Sequence, residues 1–282
     1  MSARQLRRRV VSAFMTGVVS GLCLVAVLAL LLILAHLVTK GASSLDWSFF
    51  VRSPVPAGQT GGGVAHAIVG TVIIVGVAAL IGLPIGIGTG LYLAEYGSGR
   101  LGWVVRFVAD VLNGTPSIVI GVFAWTWLVR PMGHFSALAG SVGLAALMVP
   151  MLARTTEEIV RLVPHSLREA ALALGYARWR TSLRIIARTA LAGIVTGCLV
   201  AIARIAGETA PLLFTALGNL NFTTNVLQPM QTLSLQIFVY ATGPFDEWHR
   251  LAWAAALVLM GLVLLLALAA RAAVRQRHGA AR

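Results

Sequence analysis

The sequence predicts an all-α membrane protein with six transmembrane helices. The first indication is its composition, since 58% of the 282 residues are hydrophobic, only 11% are charged, and the mean hydropathy is +0.87. A soluble domain carries far more charge, roughly a quarter of its residues. The second indication is that the apolar residues fall in blocks of about 20 or more, the length that crosses roughly 30 Å of hydrocarbon. The lipid bilayer is therefore the expected surroundings of most of the chain, and no separate soluble domain is expected.

Six apolar blocks correspond to the predicted helices, in the order 12–38, 64–93, 103–129, 135–153, 189–217 and 250–270. The first block follows a cluster of arginines, as in a secretory signal, but it is much longer than the roughly 7–15 residues of a cleavable signal. We therefore interpret it as a retained first helix. The second block carries Gly82, Gly86 and Gly90 at a spacing of one helical turn, which lets a neighbouring helix approach closely.

The distribution of basic residues predicts the orientation. If both chain termini are cytoplasmic, 17 of the 22 lysines and arginines lie on the cytoplasmic side and only four lie outside. Positive charge accumulates in cytoplasmic loops, so this arrangement is the expected one. The basic tail 272–282 is then cytoplasmic. The net charge of +13 reflects membrane orientation, and no nucleic-acid partner is expected.

Two predicted external segments are long. The first, 39–63, ends in a glycine-rich run at 58–63 that is typical of a flexible loop. The second, 218–249, contains a stretch that is able to form a short helix at the membrane surface, at 231–240. The histidines near the outer boundary lack metal-ligand spacing and are interpreted as surface residues; they are His66 and His134.

The cytoplasmic segment 154–188 is a candidate functional element. Within it, residues 161–180 place apolar side chains at helical spacing on both sides of Gly175, and a row of arginines follows. This pattern predicts two short amphipathic helices joined at the glycine. From the residues alone, the helices either rest on the anionic inner leaflet or present a contact surface to the cytoplasm.

A break is predicted in the third block at residues 113–117, which read Asn-Gly-Thr-Pro-Ser. A threonine before a proline has the residue types of an N-cap and a first turn, so a helix is expected to restart there. Helix N-termini favour anions, and broken membrane helices often line transport pathways. The candidate pathway residues are Asn113, Thr115 and Ser117. Alternatively, Arg106 and Asp110 mark an interfacial helix at 100–112.

Two charged pairs belong to the fourth and fifth blocks. Arg204 is near the middle of the fifth block, where an arginine costs about 2.5–3.5 kcal/mol on insertion scales, and Glu208 follows one helical turn later. This pair is either a structural ion pair or a cation that offers an oxyanion a fork of donors. Arg154 and Glu157 share one helical face at the inner end of the fourth block, where arginines commonly anchor a helix.

Several motifs resemble known permeases. Glu169-Ala170-Ala171, followed by Gly175, resembles the cytoplasmic signature of ABC importer permeases. Residues 202–214 (IARIAGETAPLLF) resemble the corresponding stretch of PstA-type permeases of phosphate importers, as do residues 154–157 and 115–121. The resemblance implies a type I ABC importer permease fold, with a five-helix core at 64–271 and an extra N-terminal helix within 1–38.

The resemblance also implies a function. The chain is expected to form half of a pathway for inorganic phosphate that works by alternating access, in the bacterial cytoplasmic (inner) membrane. Its partners would be a homologous second permease, two ATP-binding-cassette ATPases and an external phosphate-binding protein. Arg204 and Glu208 would serve transport, and Arg154 and Glu157 would belong to an inner gate. The residues that would couple to the ATPase are Glu169, Ala170, Ala171 and Gly175.

The chain is expected to be a non-catalytic subunit without a cofactor or metal. Its single lysine, Lys40, is not part of a nucleotide-binding Gly-Lys-Ser/Thr motif, so ATP and Mg are expected on a partner. Cys23 and Cys198 lie in apolar blocks and indicate neither a disulfide nor a metal site. The alternatives are an importer of molybdate, tungstate or sulfate, and an ion-coupled secondary transporter, although no inverted repeat is evident. A membrane-embedded enzyme lacks a catalytic constellation.

Overall fold

The computed structural model describes residues 3–56 and 61–279, which form helices and loops without a strand. The helices are α1 Ala3–Gly41, α2 Trp47–Val51, α3 Ala65–Tyr96, α4 Arg100–Gly114, α5 Ser117–Met132, α6 Ala137–Arg161, α7 His165–Ala173, α8 Arg178–Thr189, α9 Leu191–Ala206, α10 Ala210–Thr215, α11 Leu233–Thr242 and α12 Asp246–Gly279. Four of the described helices are long and apolar enough to cross a membrane, or six spans if each of two bent pairs counts as one. The predicted all-α membrane fold is confirmed.

The α3–α6 pair forms the centre of the bundle, and its contact depends on the glycine row of α3. A side-chain carbon built on Gly82 would lie 2.8 Å from the sulfur of Met148, and one on Gly86 would lie 2.9 Å from Cβ of Leu152. A larger residue in this row would therefore push the two helices apart. The close approach that the glycine spacing predicts is confirmed.

The N-terminal helix α1 contacts the rest of the chain near its C-terminal end. The His36 and Trp253 rings meet edge to face at 5.1 Å, and a side chain on Gly41 would collide with the Trp253 carbonyl. The 18-residue apolar stretch of α1 that qualifies as a membrane span is 0% buried against the described residues. This arrangement suits a helix whose apolar surface faces lipid or another subunit.

Two predicted spans are not single helices. The α4 and α5 axes differ by 104° across residues 115–116, and the α8 and α9 axes differ by 72°. The predicted span 103–129 corresponds to this bent pair, and its predicted break and a separate helix before it are confirmed. The predicted span 189–217 is wrong as one continuous helix, because α9 ends at Ala206 and a short α10 begins near Pro211. Glycine after a helix end and proline in a first turn favour this break.

The helix predicted at 231–240 exists as α11, but its N-terminal half is buried instead of lying at a surface. It packs on α3 and α12, and the Leu233 N–H donates to the Thr71 hydroxyl at 2.8 Å. By covering the start of α3, α11 leaves His66 only 3% exposed, so its interpretation as a surface histidine is wrong. His134 is exposed, as expected. Part of the predicted glycine-rich loop, 57–60, and the tail residues 280–282 lie outside the described residues.

Candidate functional site

A buried carboxylate at the C-terminal end of α6 is bound by three arginines. Glu157 has a side chain that is only 1% exposed. Its Oε1 accepts from Arg106 at 2.7 Å and pairs with Arg161 at 2.6 Å, while its Oε2 accepts from Arg154 at 2.8 Å. A carboxylate removed from water in this way requires paired charges and hydrogen bonds. The predicted proximity of Arg154 and Glu157 is confirmed, and their role stays a prediction.

A second acid extends this cluster across two helices. Arg154 also pairs with Asp110 of α4 at 3.0 Å, and the Asp110 side chain is 56% exposed. We refer to Arg106, Asp110, Arg154, Glu157 and Arg161 as the Glu157 network. Three cations and two anions leave one excess positive charge in the network. Because Arg106 and Asp110 come from α4, the network fixes that helix to α6 and provides a cationic site at one end of the bundle.

Arg106 also closes the end of α3. Its Nη1 donates to the Gly97 carbonyl at 2.7 Å and its Nη2 donates to the Leu93 carbonyl at 2.8 Å. The last carbonyls of a helix lack intrahelical partners, so an arginine there satisfies them and complements the helix dipole. One guanidinium from the middle of α4 therefore joins the C-terminal ends of α3 and α6.

The helix break places the predicted pathway residues differently from expectation. Thr115 is not an N-cap: it follows α4, and its hydroxyl donates back to the Val111 carbonyl at 2.8 Å. Pro116 occupies the N-cap position of α5, without a side-chain cap, and Ser117 begins that helix half-buried. Asn113 is exposed near the end of α4. The structure thus supports a break but not the threonine-capped anion site that the sequence predicts.

Arg204 and Glu208 do not form the structural ion pair that was one of the two interpretations from the sequence. Arg204 lies in the last turn of α9, whereas Glu208 lies beyond Gly207, in the bend before α10. Within the described part of the chain, the polar contact of the Arg204 guanidinium is a 3.7 Å approach of Nη1 to the sulfur of Met151. Met151 precedes Arg154 by one turn of α6, so Arg204 faces the same stretch of α6 as the Glu157 network. Glu208 would share a helical face with Arg204 only if α9 continued for four residues after Arg204, and α9 ends at Ala206.

The segment after α6 forms the two predicted short helices, α7 and α8. We call residues 162–189 the helical loop. Gly175 has φ +79°, its N–H donates to the Leu172 carbonyl at 2.9 Å, and the Tyr176 N–H donates to the Ala171 carbonyl at 3.1 Å. This is the hydrogen-bond pattern of a Schellman helix end, in which glycine avoids the strain of the left-handed conformation. The predicted glycine junction is confirmed.

The helical loop exposes apolar side chains. Leu174 is 79% exposed and Trp179 is 55% exposed, and the neighbouring Glu169 and Ala170 are also exposed, whereas Ala171 is buried. An exposed apolar patch with charged residues around it is typical of a protein interaction site. This geometry agrees with both interpretations left open by the sequence, which are helices that rest on the anionic inner leaflet and a contact surface presented to the cytoplasm.

A carboxylate that the sequence analysis missed holds the helical loop in place. Glu95, the second-last residue of α3, pairs through Oε1 with Arg168 of α7 at 2.8 Å, and both side chains are largely buried. The available signal was a lone acid at the end of an apolar span, a position that usually requires a partner. The described residues contain no group of three or more His, Cys, Asp or Glu side chains able to hold a metal ion.

Comparison with known proteins identifies relatives over most of the chain. Residues 86–278 match the family model described as "Binding-protein-dependent transport system inner membrane component". The chain is 48% identical over 245 residues to the "Phosphate transport system permease protein PstA" of Yersinia pestis, which covers 86% of this chain and 82% of that protein. It is 38% identical over 271 residues to "Phosphate transport system permease protein PstA 1" of Mycobacterium tuberculosis, covering 94% of this chain and 89% of that protein.

A solved structure shares the fold. The chain is similar to a subunit in "Inward facing conformations of the MetNI methionine ABC transporter", with a TM-score of 0.64, and the likeness covers 76% of this chain and 95% of that chain. The two sequences are 19% identical, so the likeness concerns the fold alone. Together with the family match, it shows that the helical bundle has the type I importer permease fold.

Proposed function

The chain belongs to the family of binding-protein-dependent transport system inner membrane components, and from this premise we propose that it is the permease subunit of an ATP-driven importer of inorganic phosphate. The observation that carries the proposal is its 48% identity with a phosphate transport permease over 86% of its length. The multi-pass apolar bundle and the exposed helical loop agree with a membrane subunit that receives energy from another protein.

The proposed assembly contains four kinds of subunit. A homologous second permease would complete the pathway, two ATP-binding-cassette ATPases would bind and hydrolyse ATP with Mg, and an external binding protein would deliver phosphate. The sequence supports this division of labour because its single lysine, Lys40, is followed by Gly41 and is not part of a Gly-Lys-Ser/Thr motif. Both termini and the helical loop would face the cytoplasm, as the excess of basic residues there favours.

Arg204 is the proposed anion-handling residue of the pathway. Its guanidinium is exposed and has only a weak contact to sulfur among the described residues, so its donors are available. A planar fork of donors suits the oxygens of phosphate. The Glu157 network, one turn further along α6, would form the inner gate, since movement of α4 against α6 must rearrange its ion pairs. Alternating access would then expose Arg204 to one side of the membrane at a time.

The test of this function is anion selectivity in a reconstituted complex. We expect the chain to co-purify with the second permease and the ATPase, and ATP hydrolysis with the binding protein to rise on addition of phosphate. Molybdate, tungstate and sulfate at equal concentration should not produce the rise. Stimulation by one of these anions in preference to phosphate would move the assignment to another oxyanion importer, and uptake without ATP would favour a secondary transporter.

The proposed orientation predicts a labelling pattern. In a background with Cys23→Ser and Cys198→Ser, a cysteine at Ser53 or Asn225 should react with an impermeant thiol reagent added to intact cells. A cysteine at Ser98 or Ser166 should react only after the membrane is opened, because those positions would be cytoplasmic. The reverse pattern would contradict the orientation inferred from the basic residues.

Strain at Gly175 should weaken attachment of the ATPase. Gly175→Val forces a branched side chain into the left-handed region at a cost of about 1–2 kcal/mol, enough to lower ATPase binding roughly tenfold. Gly133→Val is a matched control, since Gly133 has φ +74° and open space around it but lies after α5, away from the helical loop. Co-purification of the ATPase measures the effect. Equal loss in both variants would indicate general destabilisation.

A further inference from the structure

Glu95 is held by both arms of the helical loop. From α7, the Arg168 Nε donates to Glu95 Oε1 at 2.9 Å. From α8, the Ser182 hydroxyl donates to Glu95 Oε2 at 3.4 Å, and Arg178 donates through Nη2 to the Glu95 carbonyl. Arg178 also lies 4.8 Å from the centre of the Tyr96 ring, within the range of a cation–π interaction. The two helices on either side of Gly175 thus meet at the end of α3.

The Glu95 side chain is buried, which strengthens its hydrogen bonds to the helical loop. It is 5% exposed and that of Arg168 is 14% exposed. Charge-assisted hydrogen bonds at such a site are stronger than those at a surface, and breaking one leaves an uncompensated charge. Small rotations of α7 or α8 are therefore expected to move the end of α3 rather than to break the hydrogen bonds to Glu95.

The same end of α3 is also bound by the Glu157 network. Arg106 donates to the carbonyls of Leu93 and Gly97, two residues before and two after Glu95, and to Glu157. A continuous polar path therefore runs from Arg168 to Glu95, through the last turn of α3 to Arg106, and on to Glu157. Its steps join residues that are 73 and 51 positions apart in the chain.

Arg168 adds a shorter connection. Its Nη1 donates to the Val163 carbonyl at 2.6 Å and its Nη2 to the Val160 carbonyl at 3.0 Å, just after Glu157 on α6. The guanidinium therefore ties α7 to the end of α6 as well as to Glu95. A movement of the helical loop reaches the Glu157 network along both α3 and α6.

We propose that Glu95 is a positioning residue that transmits movement of the helical loop to the Glu157 network and so couples ATP hydrolysis to opening of the inner gate. This inference rests on the proposed function, in which the helical loop receives the ATPase. Two contacts support the inference. Both α7 and α8 contact Glu95, and the same end of α3 is attached to Glu157 through Arg106. Because such a path shows contact and not yet energetic coupling, the test must measure coupling directly.

The first measurement is the amount of ATP hydrolysed per phosphate transported by the complete complex in proteoliposomes. Glu95→Gln keeps the size of the side chain and removes its charge, and the complex should still assemble and hydrolyse ATP. We expect the ATP-to-phosphate ratio to rise about tenfold, within the usual range of coupling between sites. Glu95→Asp, which keeps the charge, should recover part of the coupling. Glu158→Gln is the matched control, because Glu158 is an exposed acid of α6 without a hydrogen bond or ion pair to the described residues.

The second measurement does not depend on the cargo. Spin labels are attached to cysteines introduced at Ser98 and Ser166, both exposed, in the Cys23→Ser and Cys198→Ser background. They report the distance between the end of α3 and α7 in the complex. The distance distribution should be narrow in the parent protein and in Glu158→Gln, and should broaden in Glu95→Gln. A parent complex whose ATP hydrolysis does not respond to phosphate would overturn the proposed function. A broader distance distribution in Glu95→Gln would still support the connection between the helical loop and the end of α3.

Two results would overturn the proposal. One is an unchanged ATP-to-phosphate ratio together with an unchanged distance distribution in Glu95→Gln. The other is a proportional loss of ATPase co-purification, hydrolysis and uptake at a constant ratio, which is the result expected if Glu95 only supports the fold.

Discussion

Arg204→Gln should abolish phosphate uptake while the complex stays assembled. The guanidinium stabilises little of the described structure, since its contact is a 3.7 Å approach to the Met151 sulfur, so its removal should not release the subunits. If it offers two donors to phosphate, their loss in a low-dielectric pathway costs roughly 3 kcal/mol, which corresponds to about a hundredfold or more in rate. Uptake in proteoliposomes and subunit stoichiometry after purification measure the two effects separately.

The matched variants separate transport from support of the fold. Adding Glu208→Gln to Arg204→Gln should not restore uptake, because the two side chains do not form an ion pair in the structure. Arg204→Lys should rescue poorly, since an ammonium lacks the planar fork. Arg250→Gln removes an exposed arginine at the start of α12, where it pairs with Glu247, and should transport normally. Near-normal import by an assembled Arg204→Gln complex would contradict the proposed role.

Local patterns predicted much of the fold. The composition predicted the membrane class, the row from Gly82 to Gly90 predicted the close α3–α6 contact, and Gly175 predicted the helix junction. These features depend on residues within a turn or two of one another, where backbone preference and spacing decide the outcome. The sequence also predicted the helix break at 113–117, because proline disfavours continuation of a helix.

The fifth span was mispredicted because the continuous apolar sequence outweighed the residues that signal a helix end. The signals for a break were present, with a glycine at 207 and a proline at 211, but the surrounding residues are apolar enough to extend the block to 217. A register argument that places Glu208 one turn after Arg204 holds only while the helix continues. His66 was misassigned for a different reason: its burial depends on α11, which folds over it from a distant part of the chain.

The partners within the candidate site could not be predicted from one sequence. The Arg154–Glu157 pair is three residues apart and was found, but the Arg106–Glu157 pair spans 51 residues and the Arg168–Glu95 pair spans 73. Spacing along a helix carries no information about which distant charge is brought alongside. A buried acid does imply some partner, because an isolated ionised carboxylate is too costly. The identity of that partner follows only from how the helices pack.

Glu157→Gln should cause a large loss of stability. Removing the acid leaves three arginines around a buried neutral amide, and breaking a buried ion pair costs about 3–5 kcal/mol. The midpoint of thermal unfolding of the purified complex should fall clearly, and less folded protein should be recovered from membranes. Glu158→Gln changes the next residue, an exposed acid, by the same chemistry and should behave like the parent protein.

The network also predicts which second change restores stability. After Glu157→Gln, Arg154 keeps Asp110 at 3.0 Å and Arg161, with a side chain that is 55% exposed, can reach solvent. Arg106 has a side chain that is only 23% exposed and loses its carboxylate. Adding Arg106→Gln removes this stranded charge and should recover much of the lost stability, although the caps on Leu93 and Gly97 are lost with it. Adding Arg161→Gln instead should recover little. Equal recovery by both second changes would show that the cost is general charge imbalance rather than the burial of Arg106.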